Sequence, residues 1–376
     1  METPPLRSAV VPRHGRDLRS VLVIKPDALG DFILASPFLR ELRRGLPDAK
    51  ITLVVRPAVV ALAQSCPYVD RLFPFSSAGQ AIDRIRDEAQ ALRNLDVPPF
   101  DVAILPRWDS DWYGASALLG GSLAPLRIAY SEKCNATKSR LNAGYDAAFV
   151  TDAIDDRVIE HEIIKNLRLL ERIGVQPSSE ELECWCSEVD AAFALGVLRK
   201  SVGEGPFVAF GIGASQPAKR MDAAGWRRIL AACRQYTDLP FVLFGGPEDA
   251  ELARALCEQI AVFDLSGRLQ PQQTCWALER AAAVVCLDSF AKHAAAAVGT
   301  PVVEISPLAS TGNMDSEFGD RRFAAFGVPS VTVRPAAFTA PCSGDRCSAH
   351  APHCILAIDP EEVAAGLARL LADCSR

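Results

Sequence analysis

The feature that most constrains the fold is a short apolar run followed by a turn and an amphipathic segment. The run, Val21 to Ile24, is largely β-branched, which is typical of a strand buried on both faces of a sheet. Pro26 and Gly30 interrupt the chain after it, and from Asp31 onward apolar residues recur with a helical period. Because open α/β sheets bind ligands at the carboxyl ends of their strands, Asp31 is predicted to lie at a binding edge, near the positive end of a helix.

Strand and helix patterns alternate along most of the 376 residues, a length that exceeds what one hydrophobic core usually holds. Strand patterns occupy 50–56, 69–75, 101–105 and 127–130 in a first series, and 207–210, 241–244, 262–265, 283–286 and 302–305 in a second. This alternation predicts an α/β protein with two Rossmann-like, doubly wound parallel-sheet domains facing a central cleft. We place the domains at 20–178 and 179–358, between a flexible lead-in at 1–19 and a C-terminal helix at 359–376.

The composition excludes several classes of protein. A formal net charge of -6 argues against a nucleic-acid binder, because phosphate binding needs a basic surface. No apolar run reaches the length of about 18 residues that spans a bilayer. The lead-in contains arginines but lacks the apolar core of a secretory signal, so we expect a cytoplasmic protein. Contact of the lead-in with the inner membrane surface is the alternative to a disordered tail.

Twelve cysteines are scattered along the chain, many of them in apolar segments. Cys233, Cys257, Cys275 and Cys286 follow the pattern of reduced, buried side chains that behave as small hydrophobes. Without an export signal a reducing compartment is expected, and disulfides are therefore not expected.

The segment Asp27-Ala-Leu-Gly-Asp31, with Ser-Pro and Leu-Arg on the helix after it, resembles the opening of the heptosyltransferase-like glycosyltransferases of glycosyltransferase family 9. The resemblance implies a GT-B fold, in which two Rossmann-like domains face a cleft. It also implies that Asp31 is the catalytic base, with Asp27 beside it on the acceptor side. From the residues alone Asp31 could instead cap the helix, because Asp is favoured at helix starts.

The strongest match to that family comes where a later strand pattern ends and a helix begins. Asp288, Ser289 and His293 coincide with the family signature Asp-Ser/Thr-Gly-x-x-His, although Phe290 stands in the place of the Gly. A helix N-terminus and a hydroxyl suit a diphosphate, and Lys292 adds a cation. The resemblance therefore makes the four polar residues donor ligands, whereas His293 could also be a core side chain.

Two further segments of the second series match family motifs. The Gly-rich loop after Phe210 ends in Lys219 and Arg220, which the resemblance assigns to the sugar-nucleotide phosphates, with Met221 in place of a Trp. The segment Gly-Gly-Pro-Glu248 resembles the one whose carboxylate holds the ribose, since a carboxylate can accept hydrogen bonds from two neighbouring hydroxyls. Glu248 could instead cap the next helix.

A polar and aromatic loop follows the strand pattern at 101–105. Asp109-Ser-Asp111 matches the Asp-x-Asp pattern by which another class of glycosyltransferase holds a metal with its nucleotide. We favour instead an acceptor-binding loop made of Arg107, Trp108, Asp111 and Trp112. Aromatic rings stack on sugars, and carboxylates accept hydrogen bonds from hydroxyls.

Near the C-terminus, Cys342, Cys347, His350 and Cys354 have side chains that could close a tetrahedral zinc site. The segment contains no Cys-x-x-Cys knuckle, so reduced cysteines without a metal are the default interpretation. We therefore predict no metal in the catalytic site.

Together these motifs predict an inverting glycosyltransferase of the kind that acts in lipopolysaccharide biosynthesis. It would move a sugar such as heptose from a nucleotide-diphosphate donor to a glycan or glycolipid acceptor, with no further cofactor. The alternative is a non-catalytic GT-B-like binding or scaffold protein that has lost transfer activity, which the departures at Met221 and Phe290 favour.

Overall fold

The structure is a computed structural model that describes residues 18–95, 98–314, 316–317, 319–340, 342 and 350–374. Two six-stranded sheets form its core, and every neighbouring pair of strands in them is parallel. We call the sheet from the first half of the chain, with the helices packed on it, the front lobe, and its counterpart the rear lobe. The predicted α/β fold with two doubly wound sheets is confirmed.

The front lobe contains the strands β1 (Ser20–Lys25), β2 (Lys50–Val55), β3 (Arg71–Pro74), β4 (Val102–Leu105), β5 (Leu126–Tyr130) and β6 (Asp152–Ile154). Its helices are α1 (Leu29–Ile33), α2 (Ser36–Gly45), α3 (Val60–Ala63), α4 (Ile82–Arg93), α5 (Ala115–Gly121), α6 (Ala136–Leu141), α7 (Tyr145–Phe149) and α8 (Glu162–Arg168). The strand order β3-β2-β1-β4-β5-β6 reverses direction between β1 and β4. Ligands are expected at the carboxyl ends of these two strands, which we call the front switch point.

The rear lobe contains the strands β7 (Phe207–Gly211), β8 (Phe241–Phe244), β9 (Phe263–Asp264), β10 (Ala281–Leu287), β11 (Val302–Ile305) and β12 (Ser330–Val333). Its helices are α9 (Glu188–Ser201), α10 (Ala223–Arg234), α11 (Ala250–Cys257), α12 (Pro271–Leu278), α13 (Phe290–Ala297), α14 (Asp320–Phe323) and α15 (Pro360–Cys374). The strand order β12-β11-β10-β7-β8-β9 reverses between β10 and β7, which defines the rear switch point.

The first strand and the helix after it follow from their residues. All of β1 is buried, as the apolar run predicts, because β2 and β4 flank it. The helix begins at Leu29 and has Asp31 in its first turn. It ends at Ile33, and α2 then starts at Ser36 with Pro37 in its first turn, where a missing backbone N–H is tolerated.

Several element predictions were incomplete. Strands β6 and β12 were not predicted, because the first is very short and the second is partly polar. Helix α8 is followed by a 3₁₀ turn, Leu169–Ile173, and Gly174 ends that turn with a φ of 76°. The domain boundaries stay a prediction, and most of the N-terminal lead-in lies outside the described residues. None of the helices in the described ranges is long and apolar enough to cross a membrane.

The segment between the lobes contacts both of them through three successive residues, 183–185. Glu183 accepts a hydrogen bond of 2.9 Å from the hydroxyl of Tyr68 in the front lobe. Cys184, the next residue, forms a disulfide with Cys275 of α12 in the rear lobe. Trp185 turns back to the front lobe, where its ring contacts that of Tyr68 with centroids 5.8 Å apart. The disulfide therefore joins a segment held on the front lobe to the rear lobe.

This disulfide shows that the expectation of reduced cysteines was wrong for Cys275. Its partner lies 91 residues earlier in the chain, so only the packing of α12 against the interlobe segment brings the two together. Cys233 and Cys286 are free and buried as predicted, whereas Cys257 is free but exposed.

Removing the disulfide should lower the stability of the protein. Cys275→Ser is expected to lower the free energy of unfolding by about 2–4 kcal/mol, because the cross-link closes a long loop in the unfolded chain. Urea denaturation with and without a thiol reductant measures this. The reductant should destabilise the wild type and leave the variant unchanged, and Cys257→Ser, which removes an exposed free thiol, serves as the control. An equal response of wild type and Cys275→Ser to the reductant would contradict the cross-link.

Candidate active site

The front and rear switch points meet where α1 packs against α13. A Cβ atom added to Gly30 would lie 2.9 Å from Cδ2 of His293, which is closer than real Cβ contacts come, so this approach requires a glycine. The segment that carries Asp31 thus touches the helix that follows β10 in the rear lobe. The sequence-predicted base and the sequence-predicted diphosphate-binding helix are therefore brought together.

The Asp31 carboxyl group has no compensating partner in the described part of the chain. Ala28 is the N-cap of α1 and no side chain caps the helix, so Asp31 does not serve as the cap. Asp31 forms no ion pair or side-chain hydrogen bond with the described residues. Burial raises its pKa to about 6, and the ammonium group of Lys25 opposes that rise. A carboxylate with a raised pKa is a stronger general base near neutral pH.

Around Asp31 lies a set of largely buried charges that we call the front charge cluster, namely Lys25, Asp27, Asp31, Arg107, Asp109 and Glu162. The ammonium group of Lys25 lies 3.0 Å from Asp27 and donates a hydrogen bond of 2.9 Å to the carbonyl of Pro106. The guanidinium group of Arg107 pairs with Asp27 and lies 2.6 Å from Asp109. These contacts connect the ends of β1 and β4 across the front switch point.

Most of the predicted acceptor loop is used by the fold itself. Asp111 accepts hydrogen bonds of 2.7, 3.0 and 3.1 Å from backbone N–H groups at the start of α5. Trp108 is buried, and its Nε1 donates to the carbonyl of Asp156 at 2.7 Å. Trp112, in contrast, is 47% exposed and presents its ring at the surface of the loop. The structure therefore separates Trp112 from the buried members of the predicted set.

At the rear switch point Asp288 belongs to a chain of ion pairs that runs from the surface into the core. The ammonium group of Lys219 lies 2.5 Å from one oxygen of Asp288, and that of Lys292 lies 2.6 Å from the other. Lys292 also lies 2.8 Å from Glu304 of β11. Burial alone would raise the pKa of Asp288, but the two ammonium groups outweigh it and hold the pKa well below its usual range. Lys292 is thus a buried partner of two carboxylates, a different placement from the predicted cation that faces a diphosphate.

The residues at the start of α13 lie on the boundary between the lobes. Ser289 is the N-cap residue, but its hydroxyl makes no cap hydrogen bond. His293 is buried, and its Nδ1 has no hydrogen-bond partner among the described residues. Burial and the charge of Lys292 hold the pKa of His293 well below its usual value, so the ring is neutral. Phe290 packs against an apolar cluster that contains side chains from both lobes.

Asp249, which the sequence analysis missed, organises two Gly-rich loops of the rear lobe. It accepts a hydrogen bond of 2.9 Å from the backbone N–H of Gly246. A Cβ atom at Gly213 would collide with its carboxyl group, so the loop after β7 approaches it closely. Glu248, the sequence-predicted ribose ligand, is exposed beside these loops. The signal for Asp249 was its position directly after that glutamate.

The basic end of the loop after β7 is partly folded back on itself. Arg220 donates a hydrogen bond of 2.8 Å to the carbonyl of Ala214. Lys219 reaches Asp288 and stays partly exposed. Met221 and Trp226 are buried in the core beneath α10.

Arg322 of α14 is a further residue that the sequence analysis missed. It is fully buried, and its guanidinium group lies 2.5 Å from Glu162 in the front lobe. No motif or period marks it, because it lies in a stretch without a strand or helix pattern.

Within the described ranges, no group of three or more His, Cys, Asp or Glu side chains could hold a metal ion. Of the zinc candidates, Cys347 lies outside the described residues, and Cys342 and Cys354 are buried. The Sγ atom of Cys354 lies 3.0 Å from Nδ1 of His353, whereas His350 is exposed.

Comparison with known proteins shows which family the chain resembles. The sequence model of glycosyltransferase family 9 (heptosyltransferase) matches residues 122–306. Lipopolysaccharide heptosyltransferase 3 of Escherichia coli K12 is 25% identical over 288 residues, which cover 73% of this chain and 79% of that protein. Over the matched residues the chain is similar to glycosyltransferase family 9.

Solved structures agree with a GT-B fold. The glycosyltransferase family 9 protein of Veillonella parvula DSM 2008 is 20% identical and superposes with a TM-score of 0.76, covering 97% of this chain and 100% of that one. ADP-heptose LPS heptosyltransferase II of E. coli is 18% identical, with a TM-score of 0.69 over 95% of this chain and 100% of that one. The two facing Rossmann-like domains thus have the GT-B fold.

The two departures from the family 9 motifs are absorbed by packing. Phe290 adds apolar surface at the interlobe boundary, and Met221 fills the core of the rear lobe. Neither replacement inserts a side chain between Lys219 and Asp288, which remain in contact. They therefore give no support to the non-catalytic alternative.

We expect different consequences from replacing the two lysines that contact Asp288. Lys292→Met should lower the free energy of unfolding by about 3–5 kcal/mol, because it leaves buried carboxylates without their cation. Lys219→Met, at the partly exposed end, should lower it by about 1 kcal/mol or less. Urea denaturation of both variants at pH 7 measures the difference. Equal losses would mean that Lys292 is not the buried charge partner.

Proposed function

We propose that this glycosyltransferase is an inverting heptosyltransferase that moves heptose from ADP-heptose to a hydroxyl group of a lipopolysaccharide-type acceptor. The names of its relatives support the sugar and the acceptor, since one is a lipopolysaccharide heptosyltransferase and another an ADP-heptose heptosyltransferase. In this proposal the rear lobe binds the nucleotide sugar and the front lobe binds the acceptor. A lipid-linked acceptor would bring the front lobe close to a membrane surface.

The observation that carries the proposal is the contact of the Gly30–Asp31 segment with the start of α13. It puts a carboxylate that forms no ion pair with the described residues beside a helix N-terminus at the rear switch point. A base and an anion-binding element facing each other are what a displacement at an anomeric carbon requires.

Asp31 acts as the general base in this mechanism. The acceptor oxygen attacks the anomeric carbon, its proton passes to the Asp31 carboxylate, and the bond to the diphosphate breaks. Because this is one displacement from the face opposite the leaving group, the configuration at the anomeric carbon inverts. General-base assistance of this kind is worth about 10²–10⁴-fold in rate.

The leaving diphosphate would be stabilised from the rear lobe. Lys219 is partly exposed at the switch point. Ser289 is the N-cap of α13, where free backbone N–H groups and its hydroxyl could bind an anion. In our proposal Lys219, Arg220 and Ser289 contact the phosphates, and neutral His293 donates or accepts one hydrogen bond beside them. Lys292 acts indirectly, because it holds the Asp288 carboxylate that orients Lys219. Glu248 remains our candidate for the ribose hydroxyls.

On the acceptor side, the proposal separates contact from support. Trp112 is exposed and suited to stack on a sugar ring. Asp27, Arg107 and Asp111 are buried. Asp27 and Arg107 pair with each other, and Asp111 accepts backbone hydrogen bonds, so in our proposal they hold the acceptor loop in place and do not contact the acceptor. Trp108 supports the same loop from inside.

Replacing the base should abolish transfer and preserve donor binding. Asp31→Asn keeps the shape of the side chain but removes its basicity, so we expect kcat to fall by about 10²–10⁴-fold. Calorimetry with ADP and with ADP-heptose should give dissociation constants close to those of the wild type.

The matched control is Asp48→Asn, an exposed aspartate in the turn between α2 and β2, which should leave kcat unchanged. Retained turnover in Asp31→Asn would remove the base assignment. Failure of the wild type to bind any nucleotide diphosphate would instead favour a protein without transfer activity.

The pH dependence of kcat/KM should report the titration of Asp31. The base must be ionised, and burial raises its pKa to about 6, so the rate should fall about tenfold per pH unit below about pH 6 and level off above it. An Asp with the ordinary pKa of about 3.9 would keep the rate constant to lower pH. Circular dichroism over the same range confirms that the protein stays folded, and a flat profile down to about pH 5 would contradict the assignment.

A further inference from the structure

Arg322 crosses from the rear lobe into the front charge cluster. It lies in α14, on the chain between β11 and β12, and its side chain is buried. Its Nη1 donates a hydrogen bond of 2.6 Å to the carbonyl of Glu317, which anchors the guanidinium group to its own lobe. The remaining contacts of this side chain include front-lobe residues.

Those front-lobe contacts are charged and aromatic. Nη2 of Arg322 lies 2.5 Å from Glu162 of α8, and Nη1 lies 3.5 Å from Asp109. The guanidinium group also sits over the ring of Trp108, 4.8 Å from its centroid. A single rear-lobe side chain is therefore bonded to two carboxylates that neighbour Asp31.

The charged groups that act on Asp31 come from four elements or loops. They are Lys25 at the end of β1, Asp109 in the loop after β4, Glu162 on α8 and Arg322 on α14. The ring of His293 on α13 lies against the backbone of Gly30, the residue before Asp31. Glu162 and Asp109 disfavour the ionised form of Asp31, and Lys25 and Arg322 favour it. The balance of charge around Asp31 therefore depends on these two cations.

We propose that Arg322 is a positioning residue of the transfer reaction, which holds the Glu162 and Asp109 carboxylates from the rear lobe and so keeps Asp31 available as a base. The inference rests on the proposed role of Asp31. Arg322 belongs to the rear lobe, which would bind the donor, but it pairs with Glu162 and Asp109 beside the base in the front lobe. The proposed role therefore links the two halves of the site. Separating the lobes would remove that cation from the base.

Burial gives Arg322 a structural effect as well, so the test needs a measurement that packing alone does not change. The position of the acidic limb in the pH profile of kcat/KM is such a measurement. Arg322→Gln removes one cation, and the unopposed charges of Glu162 and Asp109 should move the limb to higher pH by about one unit. At pH 6 this corresponds to a loss of about fivefold beyond any loss at pH 8.5.

Three further variants separate charge from packing. Arg322→Lys keeps the charge without the planar fork, and its limb should stay near that of the wild type. Glu162→Gln removes a carboxylate and should move the limb to lower pH. The double variant Arg322→Gln with Glu162→Gln should return the limb toward the wild-type position. Arg321→Gln, on the exposed side of the same helix, should leave the profile unchanged.

An unmoved limb in Arg322→Gln, with Asp31→Asn inactive, would overturn this inference and leave the base assignment intact. Turnover in Asp31→Asn would overturn both. If Arg322→Gln does not fold, the Glu162→Gln and Arg322→Lys profiles decide the question. A limb that does not move to lower pH in Glu162→Gln, or that rises in Arg322→Lys as it would on loss of the charge, counts against the proposal.

Discussion

The structure depends on how charges at the boundary between the lobes are compensated. A carboxylate removed from water is stable only when a cation or hydrogen-bond donors replace its hydration. In the front charge cluster, Asp27 and Asp109 share Arg107, and Glu162 is held by Arg322. Burial alone would raise the pKa of Glu162, but Arg322 and Lys25 outweigh it and lower that pKa. Asp31 is the carboxylate of the cluster to which no such partner is bonded.

In the rear lobe, buried carboxylates are compensated by a lysine that contacts two of them. Lys292 is bonded to two carboxylates that come from different elements, the end of β10 and strand β11. This fixes the Asp288 carboxylate, which in turn holds Lys219 at the edge of the site. Lys292 and Lys219 both contact Asp288, but they differ in burial: Lys292 is fully buried and Lys219 is partly exposed. One stabilises the fold, and the other remains available to an anionic ligand.

Much of the fold could be predicted from local sequence, because hydrophobic period and turn residues determine where strands and helices form. The motifs at Asp31 and at Asp288 were also predictable, since each directly follows a buried strand. Their partners were not. Arg322 and Glu162 are 160 residues apart, and the Cys184–Cys275 pair is separated by 91. Such contacts are set by the packing of the lobes, which no local pattern encodes.

The raised pKa of Asp31 affects the stability of the folded protein. A carboxyl group whose pKa rises to about 6 on folding destabilises the native state by roughly 3 kcal/mol at neutral pH. The penalty is complete above the folded-state pKa, where the unfolded chain holds the charge more easily, and it disappears as the pH falls below about 4. A second cation bonded to Asp31 would remove the penalty, but it would also lower the basicity that proton transfer requires. In our proposal the neighbours of Asp31 are neutralised while no described residue is bonded to Asp31 itself, and the base therefore stays ionised at neutral pH and reactive.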